Sequence, residues 1–151
     1  MEKLIVLGIG NRLMMDDGIG IYVIEELSRL NCTSHISFLV GESDIDYCMD
    51  QLRNATFVII VDAIYSRSEP GSLTVYSIAD LHNDQPLDIS VHNFHLFQAL
   101  YQHQKSIKGY LIGIEPYEIK FHIGLSVVLR EQWNTIVEDV LQTIETLIEN
   151  K

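Results

Sequence analysis

With 151 residues, 47% of them apolar, the chain is sized for one domain spanning 1–151 around one core. Its 21 acidic against 10 basic residues give a net charge of −11, which repels a phosphate backbone, argues against nucleic acid as a partner, and favours cations or a basic protein face. No apolar run approaches the roughly 20 residues of a membrane span, and Met1-Glu2-Lys3 leads straight into a strand pattern without a basic leader, so a cytoplasmic protein is expected.

Leu4 to Gly8 is a continuous apolar run ending in glycine, the pattern of a strand buried on both faces of a parallel sheet. From Gly18 to Leu30, Ile21, Ile24, Leu27 and Leu30 recur at helical spacing, with Glu25, Glu26 and Arg29 turned outward. Ile36 to Val40 is a second strand, and Ile45, Cys48, Met49 and Leu52 mark a short helix after it. Phe57 to Val61 is the most hydrophobic strand, hence central. Glu69-Pro70-Gly71 forms a turn, so the alternating stretch Ser72 to Ile78 is expected as an antiparallel edge strand.

Asp80 to Asp88 is polar and reads as loop, and Ser90 caps a helix carrying Phe94, Phe97, Leu100 and Tyr101 on one face. Tyr110 to Ile114 is the last strand, followed by an irregular stretch around Pro116. Ser126 then opens one long helix on Leu129, Trp133, Ile136, Val140, Ile144 and Leu147. Strands alternating with helices in this way predict an α/β three-layer sandwich. Its five-stranded twisted sheet is mostly parallel, with one antiparallel edge strand and helices on both faces. In such sheets ligands bind beyond the carboxyl ends of the strands, where the strand order reverses.

Gly8-Ile9-Gly10-Asn11 follows the first strand but is no dinucleotide fingerprint. The third glycine position is Leu13, and Asp16-Asp17 occupy the place of a pyrophosphate, so no nucleotide is expected. Asp17 taken alone is better read as a helix N-cap, and a ligand in the cleft stays open if Asp16 is the cap. Asp62 ends the central strand, where a carboxylate costs stability unless it is paired, solvated or metal-bound. His92 stands in the first turn of the helix opened by Ser90, with His95 three residues on and nearly on the same face. His35, His82, His103 and His122 read as surface residues, and Cys32 and Cys48, in no metal-binding spacing, as thiols of which a buried free form is the commoner outcome. Two carboxylates and one imidazole would suit zinc, nickel or cadmium with open coordination positions. The residues alone go no further than a metal site without a named substrate.

The segment Gly8-Ile9-Gly10-Asn11-Arg12-Leu13-Met14-Met15-Asp16-Asp17-Gly18-Ile19-Gly20 is similar to the G-x-G-N-x-L-x-x-D-[DE]-x-x-G opening of the hydrogenase maturation endopeptidases. Val61-Asp62-Ala63 and Ser90-Val91-His92 resemble that family's second and third metal-ligand segments, and Gly113-Ile114-Glu115-Pro116 and Gly124-Leu125-Ser126 two further landmarks. Where the family carries a Gly-Gly-Thr-like segment after the second strand, this chain reads Gly41-Glu42-Ser43. The resemblance implies an endopeptidase that trims the C-terminal extension from the nickel-loaded large-subunit precursor of a nickel-iron hydrogenase. It implies Asp17, Asp62 and His92 as contacts to a nickel that arrives with the substrate (zinc or cadmium standing in for it in a crystal), and Asp17 or Asp62 as the catalytic carboxylate. Whether the metal acts on the carbonyl or only places the bond stays open, as does a metal-sensing or partner-binding module of the same fold. A monomer is expected, since the cleft must admit a large folded substrate.

Overall fold

The computed structural model describes residues 2–30, 35–81, 95–99, 102 and 108–151. The strands are β1 (Leu4–Ile9), β2 (Ile36–Glu42), β3 (Phe57–Ala63), β4 (Leu73–Ser77) and β5 (Lys108–Ile114). They form one sheet in the order β2-β1-β3-β5-β4. β1 pairs in parallel with both β2 and β3, and β3 pairs in parallel with β5. β4 runs antiparallel along β5, as the Pro-Gly turn before it predicts.

The chain leaves β1 to make β2 on one side and returns to make β3 on the other. The strand order therefore reverses between β1 and β3, and a crevice is expected at their carboxyl ends. Asp17 follows β1 and Asp62 lies near the end of β3, so the topology alone brings both to this point.

The all-apolar burial of β1 and β3 divides by the two-residue alternation of a strand. Val6, Ile59 and Ile112 point to one face, where they pack with Val23, Ile24 and Leu27 of helix α1 (Ile19–Leu30) and with Val140 and Ile144 of the C-terminal helix. Ile5, Leu7, Ile60 and Leu111 point to the other. There they meet Cys48 of α2 (Ile45–Gln51), Leu52, Ile78 of α3 (Ile78–Leu81), and Leu96 and Phe97 of a helical stretch over 95–99. Helices thus cover both faces of the sheet, giving the expected three layers.

Three local expectations change. The helix after β1 is preceded by a 3₁₀ turn, Met15–Gly18, and becomes α-helical only at Ile19. Ile78 belongs to α3 and not to the edge strand, and Asp80 is helical rather than loop; residues 82–94, with Ser90 and His92, lie outside the described residues. The long C-terminal helix is two: α4 (Val127–Glu131), capped by the Ser126 hydroxyl, and α5 (Trp133–Glu149). They are separated by Gln132 at φ −100° and ψ 7°, whose amide lies against Gly71. Apolar periodicity runs unbroken through this point, because a one-residue break leaves both pieces facing the same core.

Candidate functional site

The loop between β1 and α1 is held in place by close backbone approaches that only glycine allows. Gly10 adopts φ +142°, and a Cβ there would lie 2.1 Å from the Asp17 carbonyl oxygen. Gly20, in the first turn of α1, has its Cα against the carboxyl end of β3. A Cβ there would lie 2.3 Å from the Val61 carbonyl oxygen. The start of α1 is thereby pressed onto β3 beside Asp62, with Asp17 three residues upstream in the 3₁₀ turn.

Asp17 is half-buried, and its Oδ2 accepts the backbone N–H of Asn11 at 3.0 Å. It is therefore bonded to the loop before it, not to the helix N–H groups a cap would serve. Burial pushes its carboxyl above the usual carboxylate range, only partly opposed by the Asn11 hydrogen bond. Asp62 is fully buried at the end of β3, and its Oδ1 accepts the N–H of Ala63 at 2.8 Å.

Asp16, the other candidate cap, does something different. It is fully buried, with Oδ1 accepting the Ser126 N–H (2.8 Å) and Oδ2 accepting the Ser126 hydroxyl (2.7 Å) and the N–H groups of Tyr117 and Glu118 (3.0 Å each). One carboxylate thus fastens the loop after β5 to the loop after β1. The backbone adds to this: Met15 N–H donates to His122 O and His122 N–H donates to Leu13 O, both at 2.8 Å. Met15 takes the left-handed conformation (φ 51°), a strain of roughly 1–2 kcal/mol for a residue with a Cβ, and these bonds hold it there.

A second buried carboxylate, Glu115, ties in the loop after β3. Its Oε1 accepts the Ser66 N–H (2.8 Å) and the Ser66 hydroxyl (2.7 Å). Between Asp62 and Ser66, Tyr65 lies partly exposed. Burial and the field of Asp16, Glu115, Asp17 and Glu118 push its phenol above the ordinary value, so the three loops share one strongly negative region.

The structure thus places Asp17 after β1 and Asp62 near the end of β3, at the neighbouring carboxyl ends of two paired strands, with His92 outside the described residues. Among the described residues, no three His, Cys, Asp or Glu side chains gather as a metal-binding group. His95 is exposed, as are His35 and His122, the latter as expected for surface histidines; His82 and His103 lie outside the described residues. Sequence reasoning missed the clamp made by Asp16 and the brace made by Glu115, although both stand inside motifs singled out above. Nothing in the sequence marked Tyr65. The Gly41-Glu42-Ser43 departure is also explained locally. Glu42 holds the left-handed conformation (φ 51°) and pairs with Arg12 (3.1 Å), which also binds Glu25 (2.6 Å) and lies over the Tyr22 ring.

Asp17 and Asp62 stand at the switch point of a mostly parallel sheet, the place where ligands bind in α/β proteins of this kind. The chain belongs to the hydrogenase maturation protease family, whose profile matches residues 21–143. It is 28% identical to a putative hydrogenase maturation protease of Methanocaldococcus jannaschii, over 95% of this chain and 97% of that one. To the hydrogenase 2 maturation protease of Escherichia coli it is 26% identical, over 94% and 90%. Among solved structures, the hydrogenase maturating endopeptidase HybD of Escherichia coli superposes with a TM-score of 0.77 at 25% identity, covering 97% of this chain and 93% of that one. Among the described residues no helix is long and apolar enough to cross a membrane.

Proposed function

We propose that this chain is the endopeptidase that removes the C-terminal extension from the nickel-loaded large-subunit precursor of a nickel-iron hydrogenase. What supports the reading is the placement of Asp17 after β1 and of Asp62 near the end of the paired strand β3, in a chain of the hydrogenase maturation protease family. Together with His92 they supply an oxygen-oxygen-nitrogen donor set. Such a set holds a divalent ion weakly and leaves positions open for the precursor's own ligands. In this reading nickel is part of the substrate, and its capture fixes the scissile bond against the site. Asp17 is the general base toward the attacking water. Asp62, buried and bonded to the Ala63 N–H, is the fixed ligand.

The test follows the mass of nickel-loaded precursor mixed with wild-type protein and with Asp17→Asn, Asp62→Asn and His92→Ala variants. Loss of the extension with wild type, slowed by at least about a hundredfold in each variant, is expected for groups touching the reacting atoms. Undiminished cleavage by all three variants removes the site assignment. A complex that forms without any mass loss points instead to a binding module.

A further inference from the structure

Asn11, at the end of the Gly8-Ile9-Gly10-Asn11 segment, has its N–H, its carbonyl and its side-chain oxygen all in use within the loop after β1. Its Oδ1 accepts the Leu13 N–H at 2.9 Å, the bond of an asparagine to the backbone two residues on. Its carbonyl accepts the Met14 N–H at 3.1 Å, so the turn over 11–14 is closed twice. The Met14 carbonyl in turn accepts the Asp17 N–H at 3.1 Å, and Asp17 Oδ2 accepts the Asn11 N–H at 3.0 Å. The bonds among Asn11, Met14 and Asp17 form a ring, and the asparagine side chain fixes that ring at the residue donating to the carboxylate.

Other residues fasten this loop to the rest of the fold. Gly10 N–H donates to the Glu42 carbonyl, the Ser43 hydroxyl donates to the Gly10 carbonyl, and Asp16 ties the loop to the one after β5. Beyond its own turn, Asn11 reaches only the Asp17 carboxylate. Among the described residues its N–H is also the one hydrogen-bond donor to the Asp17 side chain, which leaves Oδ1 without one. We propose that Asn11 is a positioning residue for Asp17, its side-chain turn aiming its N–H at Oδ2 and keeping Oδ1 for the reaction. The proton of the attacking water passes to Oδ1 as the water oxygen bonds to the scissile carbonyl carbon, and then to the departing amine as the C–N bond breaks. This inference rests on the processing activity proposed above.

The experiment measures steady-state processing of nickel-loaded precursor by wild type, Asn11→Ala, Asn11→Ser, Asp17→Asn and the double variant Asn11→Ala/Asp17→Asn, at a temperature where each is folded. Asn11→Ala keeps the N–H but loses the acceptor that orients it, and is expected to lower kcat at least about tenfold with KM within about threefold. Asn11→Ser returns a hydroxyl acceptor to the turn and should recover most of the lost kcat. A residue acting through Asp17 has nothing left to position once Asp17 is changed, so the double variant should match Asp17→Asn within about twofold. An unchanged kcat in Asn11→Ala, a change confined to KM, or a further tenfold fall in the double variant each overturns the positioning role and leaves the processing reading intact. Wild-type protein that processes no precursor overturns the processing reading and this inference with it. Should Asn11→Ala fail to fold, amide exchange in the wild type decides the matter. Protected Asn11 and Leu13 amides support the ring, and exchange as fast as in an unstructured peptide overturns it.

Discussion

Asp16 and Ser126 are bonded twice, through the Ser126 N–H and through its hydroxyl, although 110 residues separate them in the chain. The same serine oxygen accepts the Leu129 N–H at 3.3 Å and so caps α4. A buried carboxylate beside the crevice therefore fixes the start of a helix on the opposite side of the loop.

Replacing Asp16 with alanine should be among the most damaging single changes. It leaves the N–H groups of Tyr117, Glu118 and Ser126 without their acceptor, at about 3–5 kcal/mol in total. Urea unfolding would show this as a lower midpoint. Amide exchange at 117, 118 and 126 should accelerate well before the sheet exchanges, and protection equal to wild type at these three amides would contradict the clamp.

Gly20→Ala tests how α1 is seated. The new methyl meets three backbone atoms, Val61 O, Val61 C and Ile9 O, none of which can rotate away. A loss of about 2–3 kcal/mol is expected from the forced shift of the helix, measured as a lower thermal or urea midpoint, with precursor processing lost as Asp17 and Asp62 separate. Gly124→Ala provides the contrast, because that Cβ would meet nothing within 4 Å. Only its φ of +103° is unfavourable, so a cost of about 1–2 kcal/mol is expected.

Asp17→Asn should gain stability where it loses activity. A carboxyl raised by burial penalises the charged folded form above the ordinary aspartate range. Its stabilising protonated form is present at low pH and is lost as pH rises through the raised folded value. At pH 7 the asparagine variant should therefore melt higher than wild type, and the gap should close as pH falls to the range of an unperturbed aspartate. A variant that melts lower at pH 7 would show that the Asn11 hydrogen bond outweighs burial.

Cys48 should be inert in the folded protein. Burial, followed by the charge of Asp44, pushes its thiol up to about 11. The reactive thiolate is scarce at pH 8 and its sulfur is packed against Gly41. Peptide mass analysis after brief iodoacetamide treatment should find Cys48 unmodified in native protein and fully alkylated in urea. Equal labelling in both states would mean that α2 opens readily.

Much of this architecture is legible in the sequence because it is local or periodic. The uninterrupted apolar runs of β1 and β3, the Glu69-Pro70-Gly71 turn ahead of β4, and the 3.6-residue spacing of α1 and α5 each leave a pattern a few residues long. Asp62 at the end of a buried strand and Asp17 after a G-x-G loop can be placed from such patterns, once the strand order is assumed.

The Asp16 and Glu115 carboxylates cannot be placed in this way. Their partners lie 101, 102 and 110 residues away for Asp16 and 49 for Glu115, and a hydrogen bond across that distance imposes no period on the intervening chain. Asp16 also satisfies every local rule for a cap, so propensity points to the wrong partner. The break at Gln132 is hidden for the opposite reason, since the periodic signal is present but a single non-helical residue does not disturb it.

The clamp also has a consequence in time. A chain still being synthesised has β1, the 3₁₀ turn and most of the sheet available long before Ser126 exists, so Asp16 must wait for the last fifth of the sequence before it can be buried with its partners. Contacts of such long sequence separation form late. The braced loop is therefore completed only when the chain is nearly finished, and a half-made molecule carries Asp17 on a turn that Asp16 has not yet fastened.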